Sequence, residues 1–281
     1  MKIIHHVNVH SSSAEFYSYI IRSGIRYTIS DYPGNDNKLL SFDISETDPL
    51  WEMVFALLKK YQGFDIYRGG DIYDTFFSDD EIRQAEWLRI ISTFEQGYPQ
   101  PAGNWPLKQS SFSIICPSCV IYEQINPMRI SKEPNIRKNS FMSLIGAGEL
   151  FAVPEVFSEI NSIGATGYET REVLIHKTNQ PSEKIQQLYI PAIAKPGLLG
   201  TEEMRQVHCQ KCGTVRYYPH KKGIMRLRRG VLSPDLDLIR TNEWFGVGLI
   251  SYREILVSNR IAKLALDKNW KGIRFKVVEL E

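Results

Sequence analysis

The chain has 281 residues, a formal net charge of +2, and a composition that is 43% hydrophobic and 23% charged. These values are typical of a soluble globular protein with a sizeable core, and they exclude a disordered chain. The first residues show no signal-peptide pattern, and no stretch approaches the roughly 20 apolar residues of a membrane helix. We therefore expect a cytoplasmic protein with no membrane partner.

The charge is distributed unevenly along the chain. Residues 1–100 carry 9 basic and 15 acidic side chains, whereas the remaining residues carry 25 and 17. This asymmetry predicts a polarised surface that would steer a charged partner toward the protein.

The first part of the chain contains no cysteine and predicts mixed helices and strands. A short helix is expected over residues 14–21, a strand over 38–44 and a helix after Asp48 and Pro49. The run Ser78-Asp79-Asp80-Glu81 has the form of a capping box. Apolar residues then recur every three positions, which predicts a helix continuing to about residue 96. These apolar residues are Ile82, Ala85, Leu88 and Ile91.

A connector rich in proline and glycine follows at residues 98–106, and we place a domain boundary there. The sequence thus predicts an α+β protein with a mixed N-terminal region (1–97) and a metal-clamped C-terminal region (98–281).

The four cysteines of the chain form two Cys-x-x-Cys hooks, which are Cys116–Cys119 and Cys209–Cys212. Each hook bends the backbone so that both sulfurs can face one point, and two hooks supply the four thiolates of a tetrahedral zinc site. Thiols stay reduced in the cytoplasm, which favours metal over disulfides. We therefore predict one structural Zn²⁺, since four thiolates leave no open coordination position.

Other interpretations of the hooks remain open at this point. Each pair could be redox-active by itself, although such a motif should stand before an amphipathic helix, and neither hook does. His208 and His220 flank the second hook, where either could replace a thiolate or donate a hydrogen bond to one.

The C-terminal region also contains a possible internal repeat, at about residues 141–175 and 244–280. The two segments align without a gap at an offset of 105, and each predicts a strand, an amphipathic helix and a strand. Each is preceded by one hook, so a single metal ion could clamp two similar lobes. Chance similarity between two ordinary strand–helix–strand segments is the alternative.

A basic run follows the second hook. Its five cationic side chains are those of Lys221, Lys222, Arg226, Arg228 and Arg229. Such a run beside two tyrosines could contact nucleic-acid phosphates and bases. It could equally be a solvated loop with its apolar residues turned inward.

Three features together resemble a known family. They are the two hooks, the connector beginning Tyr98-Pro99-Gln100-Pro101, and a C-terminal segment that includes Arg253-Glu-Ile-Leu-Val-Ser258 and Trp270-Lys-Gly272. Over about residues 95–281 the chain resembles the bacterial double Cys-x-x-Cys-Gly motif proteins. That group is similar in its C-terminal segment to immunity proteins of polymorphic toxin systems. The first hook departs from the motif at Val120, where glycine is expected.

The resemblance implies a class of role rather than a reaction. We expect a non-enzymatic protein that binds another protein, in particular an immunity factor that neutralises a cognate toxin by steric occlusion. The alternative is a zinc-ribbon protein that binds nucleic acid through residues 221–229. An enzyme with an unrecognised site is the third hypothesis.

Overall fold

The computed structural model describes residues 1–31, 36–61, 69–103, 110–246 and 251–281. The chain divides into two compact units. Unit 1 comprises Met1–Ser78 together with Lys221–Gly223, and unit 2 comprises Asp79–His220 together with Ile224–Glu281. Parts of the predicted connector (104–106) and of the second repeat segment (247–250) lie outside the described residues.

The described helices are α1 (Ala14–Ser23), α2 (Trp51–Tyr61), α3 (Asp79–Gln84), α4 (Pro154–Ser162) and α5 (Asn259–Asp267). The strands of unit 1 are β1 (Lys2–His10), β2 (Thr28–Asp31), β3 (Lys38–Ser45) and β4 (Gly69–Phe76). Those of unit 2 are β5 (Trp87–Ser92), β6 (Phe112–Cys116), β7 (Ile121–Gln124), β8 (Met128–Ile130), β9 (Phe141–Ser143), β10 (Leu150–Ala152), β11 (Glu169–Arg171), β12 (Val173–Ile175), β13 (Gln186–Tyr189), β14 (Gln206–His208), β15 (Val215–Tyr217), β16 (Met225–Leu227), β17 (Leu238–Arg240), β18 (Trp244–Phe245), β19 (Ile255–Ser258) and β20 (Ile273–Leu280). The chain therefore has the mixed α+β fold that the sequence predicts.

Unit 1 is one antiparallel sheet with two helices. Its strand order is β2-β3-β1-β4, and the chain order of its elements is strand, helix, strand, strand, helix, strand. This is the ferredoxin-like arrangement of two interleaved strand–helix–strand halves. The expected helix at 14–21 and strand at 38–44 are both present as α1 and β3.

Both helices of unit 1 pack on the same face of its sheet. Val7 pairs with Phe42 across β1 and β3, so their side chains lie on one face, and both are buried. The buried residues Ile20 of α1 and Val54 of α2 belong to the same cluster. Alternating burial along β3 reflects the period of two that a half-buried strand requires.

Unit 2 is built on two larger sheets with separate apolar cores. The first has the order β16-β20-β5-β19-β17, and the second has the order β11-β13-β10-β9. Three small sheets complete the unit, pairing β12 with β8, β14 with β15 and β18, and β6 with β7. The small sheets containing β6 and β14 carry the two cysteine hooks.

The prediction of one helix from residue 79 to about residue 96 is wrong beyond the first turns. Helix α3 ends at Gln84, and β5 begins at Trp87 as the central strand of the five-stranded sheet. Residues 87–90 are all buried, because β5 has a strand on each side and is covered on both faces. In the sequence, a strand buried on both faces is a nearly continuous run of apolar residues, and such a run also contains the apolar spacing of a helix.

The position of β5 also explains where the compact units divide. The division falls after Ser78, earlier than the boundary that the sequence predicts at residue 97. Strand β5 pairs with β19 and β20 near the C-terminus, so residues 79–97 pack with the C-terminal part of the chain.

The helices of the two segments aligned in the sequence have matching boundaries, whereas the strand after the helix is divided into β11 and β12 in the first segment and is continuous as β20 in the second. Helix α4 spans Pro154–Ser162 and α5 spans Asn259–Asp267, so both ends keep the offset of 105. Gly167 and Gly272, which keep the same offset, both have left-handed backbone, with φ of 90° and 87°.

The contacts of these two glycines are reciprocal. A Cβ atom at Gly167 would lie 2.1 Å from the carbonyl oxygen of Leu238 in β17, which pairs with β19 of the second segment. A Cβ atom at Gly272 would lie 2.1 Å from the carbonyl oxygen of Phe141 in β9, which pairs with β10 of the first segment. The glycine turn of each segment therefore packs against a strand that pairs with the strand before the helix of the other segment.

Candidate metal centre

Both cysteine hooks lie in the turns of short antiparallel hairpins. Cys116 is the last residue of β6 and Cys119 precedes β7, while Cys209 and Cys212 lie between β14 and β15. In the second hairpin the backbone N–H of Gly213 donates to the carbonyl of Cys209 over 2.9 Å. Each hairpin turn thus presents two sulfur atoms on one side, as the sequence spacing requires.

The four sulfur atoms converge on one point. Cys116 Sγ lies 3.8 Å from Cys209 Sγ, and Cys119 Sγ lies 3.6 Å from Cys212 Sγ. All four atoms lie within 4.8 Å of one another, and all four cysteines are free thiols. Zinc–sulfur bonds of about 2.3 Å at tetrahedral angles place sulfurs about 3.8 Å apart, so the donor set fits one tetrahedral ion.

The residues around the sulfurs favour thiolate at some positions and oppose it at others. Hydrogen bonds from the Thr214 side chain and backbone lower the pKa of Cys212 to about 6. Backbone hydrogen bonds from Cys212 and Lys211 lower the pKa of Cys209. Burial, followed by hydrogen bonds with the other cysteines, raises the pKa of Cys119 to about 12. A bound cation would offset the cost of ionising Cys119, because coordination requires the deprotonated sulfur.

A buried arginine lies beside the cluster. Arg216 of β15 is 7% exposed, and its Nη1 lies 3.3 Å from the carbonyl oxygen of Cys119 and 3.3 Å from the hydroxyl of Ser251. The Ser251 hydroxyl in turn donates to the same carbonyl over 2.6 Å. None of the ion pairs among the described residues includes Arg216, and its Nε atom is buried without a partner.

A buried cation without a carboxylate costs folding free energy unless another negative charge compensates it. Four thiolates around one divalent cation carry a net charge of about −2. The positive charge of Arg216, next to Cys119, would therefore compensate the negative charge of such a centre. Sequence reasoning missed this residue, because its distance from the first hook, 97 positions, hides the contact with Cys119.

One aliphatic and one aromatic residue pack against the cysteines. Cys116, Cys119 and Cys209 are buried in one cluster with Ile121, and Trp244 packs against it. The guanidinium of Arg253 lies 4.3 Å from the ring centre of Trp244. Cys212 is the exposed member of the four.

The flanking histidines do not join the sulfur cluster. Within the described residues, the group placed to hold a metal ion contains the four cysteines and neither His208 nor His220. His208 is exposed at the end of β14. Burial, followed by the charges of Arg89 and Lys276, lowers the pKa of His220 to about 4.

The basic run 221–229 is divided between the two compact units. Lys221 and Lys222 belong to unit 1, where Lys222 Nζ lies 2.7 Å from Glu46 Oε1. The other cationic side chains belong to unit 2. There Arg226 pairs with Glu281 over 3.3 Å and Arg229 pairs with Glu86 over 3.4 Å, while Arg228 is exposed. Met225 and Leu227 are buried, so apolar residues of the run do turn inward, but they lie in strand β16 and not in a loop.

A different basic segment escaped the sequence analysis. Residues 129–138 carry four basic side chains and one acidic side chain, and they border a cavity of about 510 Å³. No carboxylate among the described residues forms an ion pair with Arg129, Lys132, Arg137 or Lys138. The run is interrupted by apolar residues and proline, which is why its charge did not stand out.

No protein-family model matches the chain, and no curated protein matches it either. No helix in the described ranges combines the length and apolar character needed to cross a membrane.

Proposed function

We propose that this chain is a non-enzymatic protein-binding protein stabilised by one structural zinc ion, and that it acts as an immunity factor against a cognate toxin. The observation that carries the structural half of the proposal is the convergence of four sulfurs within 4.8 Å. Four protein ligands fill a tetrahedral zinc site and leave no position for a substrate.

The immunity role rests on the resemblance to double Cys-x-x-Cys-Gly proteins, and the backbone of the hooks supports it. Val120 replaces the glycine of the motif but has the left-handed φ of 54°, close to the 73° of Gly213 in the second hook. The departure from the motif is therefore one of side chain and not of backbone shape.

The experiment is to pair the chain with the proteins encoded beside its gene. Each neighbour is expressed alone and together with the chain, and growth and complex formation are measured. We expect one neighbour to stop growth alone, to be harmless together with the chain, and to co-purify with it. If no neighbour is both toxic and bound by the chain, the immunity proposal is wrong.

Nucleic-acid binding is the second candidate, and exposed Arg228 is the observation in its favour, since no carboxylate in the described ranges pairs with it. Reversing Arg226 or Arg229 would also break ion pairs, so Arg228→Glu is the cleaner test. Affinity for nucleic acid should fall steeply with salt and with this change if the run contacts phosphates. Salt-independent binding, or equal binding by the variant, excludes this role for the run.

A further inference from the structure

The cavity bordered by the basic segment has the size and floor of a binding pocket. Its volume of about 510 Å³ lies within the range of ligand sites. Its floor is formed by Ile130, Met142 and Leu144, which are at most 4% exposed and belong to one apolar cluster of unit 2. An apolar group that enters the cavity would therefore rest on core side chains that are already held in place.

Two acceptor side chains that line the cavity, Glu133 and Gln96, form hydrogen bonds within the protein. Glu133 accepts hydrogen bonds from the hydroxyl of Ser182 over 2.7 Å and from the backbone N–H of Glu183 over 2.9 Å. The side-chain oxygen of Gln96 accepts the backbone N–H of Asn135 over 2.7 Å. These hydrogen bonds hold the two acceptor side chains in the wall of the cavity.

The donors at the rim, in contrast, are available. Ser131 and Lys132 are exposed, and Tyr98 is 57% exposed. The side chains of these three lining residues form no hydrogen bond or ion pair within the described residues. The two hydroxyls can donate or accept a hydrogen bond, whereas the ammonium group of Lys132 can only donate. A ligand that suits this rim therefore carries an acceptor with negative charge beside Lys132.

Positive charge continues beyond the rim. Arg137 and Lys138 follow the lining residues within a few positions, and both are exposed. A charged strip that extends past a cavity suits a polypeptide segment better than a small molecule, which would be contained in the cavity. The apolar floor disfavours a phosphate backbone, because phosphate groups gain nothing from contact with methionine and leucine.

We propose that this cavity receives an apolar side chain from an acidic peptide segment of the partner protein, with the flanking carboxylates on Lys132, Ser131 and Tyr98. An apolar anchor in a pocket with a polar rim is the common form of an interface hot spot. The inference deepens the proposed function, since it names the chemistry of the partner segment, and it rests on that function.

Two variants and two matched controls test the pocket. Ser131→Trp fills the mouth of the cavity, and Lys132→Glu reverses the rim charge. Ser158→Trp on α4 and Lys263→Glu on α5 make the same changes at exposed positions that do not line it. All four positions are exposed, so we expect all four variants to fold, which thermal melts would check.

The probe is a random peptide library selected on the wild-type protein. We expect enriched peptides to contain an apolar residue flanked by aspartate or glutamate. Their affinity should fall at least about tenfold with Ser131→Trp and with Lys132→Glu, a loss of about 1.4 kcal/mol or more, and should be unchanged in both controls. Enrichment of basic peptides, or of peptides that bind Ser131→Trp normally, would overturn the proposal.

A second experiment distinguishes failure of the pocket proposal from failure of the proposed function. If a neighbouring protein proves to be the partner, its affinity is measured with the same four variants. A partner that binds Ser131→Trp and Lys132→Glu as well as wild type would place the interface elsewhere and leave the immunity role standing. The library result stands even if no partner is found, because it does not use one.

Discussion

Val120 and Gly213 occupy the same position after their hooks, and both have left-handed backbone, with φ of 54° and 73°. A β-branched residue in this region is an outlier, and left-handed backbone costs most residues about 1–2 kcal/mol. Val120 is 9% exposed, so apolar burial offsets the strain at the first hook. At Gly213, a Cβ atom would have no heavy atom of the described residues within 4 Å, apart from its neighbours in the chain, so no such compensation is available there.

Gly213→Val should therefore lower the free energy of unfolding by about 1–2 kcal/mol through the backbone alone. We expect the variant to keep its metal, because a Cβ atom at this position meets no heavy atom of the described residues within 4 Å. Urea unfolding and metal analysis of the purified variant measure both effects. Unchanged stability would mean that the second hook does not need the left-handed turn.

Removing one thiolate should remove the metal ion and destabilise unit 2. Zinc contributes on the order of 10 kcal/mol in small zinc domains, so Cys209→Ser should lose zinc and melt well below wild type. Metal content per chain and thermal melts with and without chelator give the readout. Ser118→Ala, an exposed change inside the first hook, serves as the control and should keep one zinc per chain. Zinc retained by Cys209→Ser would contradict a site shared by both hooks.

Arg216 should support metal affinity without contacting the metal. Arg216→Met keeps an unbranched side chain but removes the charge beside the thiolates. We expect zinc affinity to fall by about tenfold to a hundredfold, the usual effect of changing a group that supports metal ligands. Competition with a chelator measures the change, and exposed Arg205→Met is the control. An unchanged affinity in Arg216→Met would assign Arg216 to packing alone.

The close approach at Gly167 predicts a contrast with its neighbour Gly164. Both have positive φ, but a Cβ at Gly164 meets nothing within 4 Å, whereas one at Gly167 would lie 2.1 Å from backbone oxygen. Gly164→Ala should cost about 1 kcal/mol, from the backbone alone. Gly167→Ala should cost more than about 3 kcal/mol, since β17 must move to make room. Equal losses in urea unfolding would show that the contact with Leu238 can relax.

His220 should make the fold sensitive to mild acid. Its pKa is lowered to about 4, chiefly by burial, so the folded state holds the ring neutral while the unfolded chain binds a proton below about pH 6.5. The stability that this ring contributes is full above about pH 6.5 and is lost as the pH falls toward 4. The stability advantage of wild type over His220→Gln should therefore shrink by roughly 2 kcal/mol between about pH 7.5 and 5.

Acid also weakens zinc binding, but it does so in both wild type and His220→Gln. The difference between their free energies of unfolding therefore reports the effect of His220 alone. Urea unfolding at the two pH values measures that difference. If the stability difference between wild type and His220→Gln is the same at both pH values, the folded state does not hold the imidazole neutral.

The sequence by itself predicted the convergence of the four cysteines and the class of fold. Cysteine spacing is a local property, and a hairpin turn suffices to aim two sulfurs at one point. Alternation and helical periodicity likewise predicted β3 and α1, because each buries one face of a single element. The two helices of the possible repeat, α4 and α5, likewise keep the offset of 105 that the sequence alignment gives.

Only the tertiary structure decided which elements become partners. Strand β5 was mistaken for a helix because its burial depends on β19 and β20, more than 160 positions later in the chain. Long-range packing also places Arg216 beside the sulfurs and pairs Arg226 and Arg229 with carboxylates. It likewise leaves the cations beside the cavity without carboxylate partners among the described residues. Local sequence sets where a charge lies along the chain, but its neighbours in space set whether that charge is compensated, and so whether it is available to a partner.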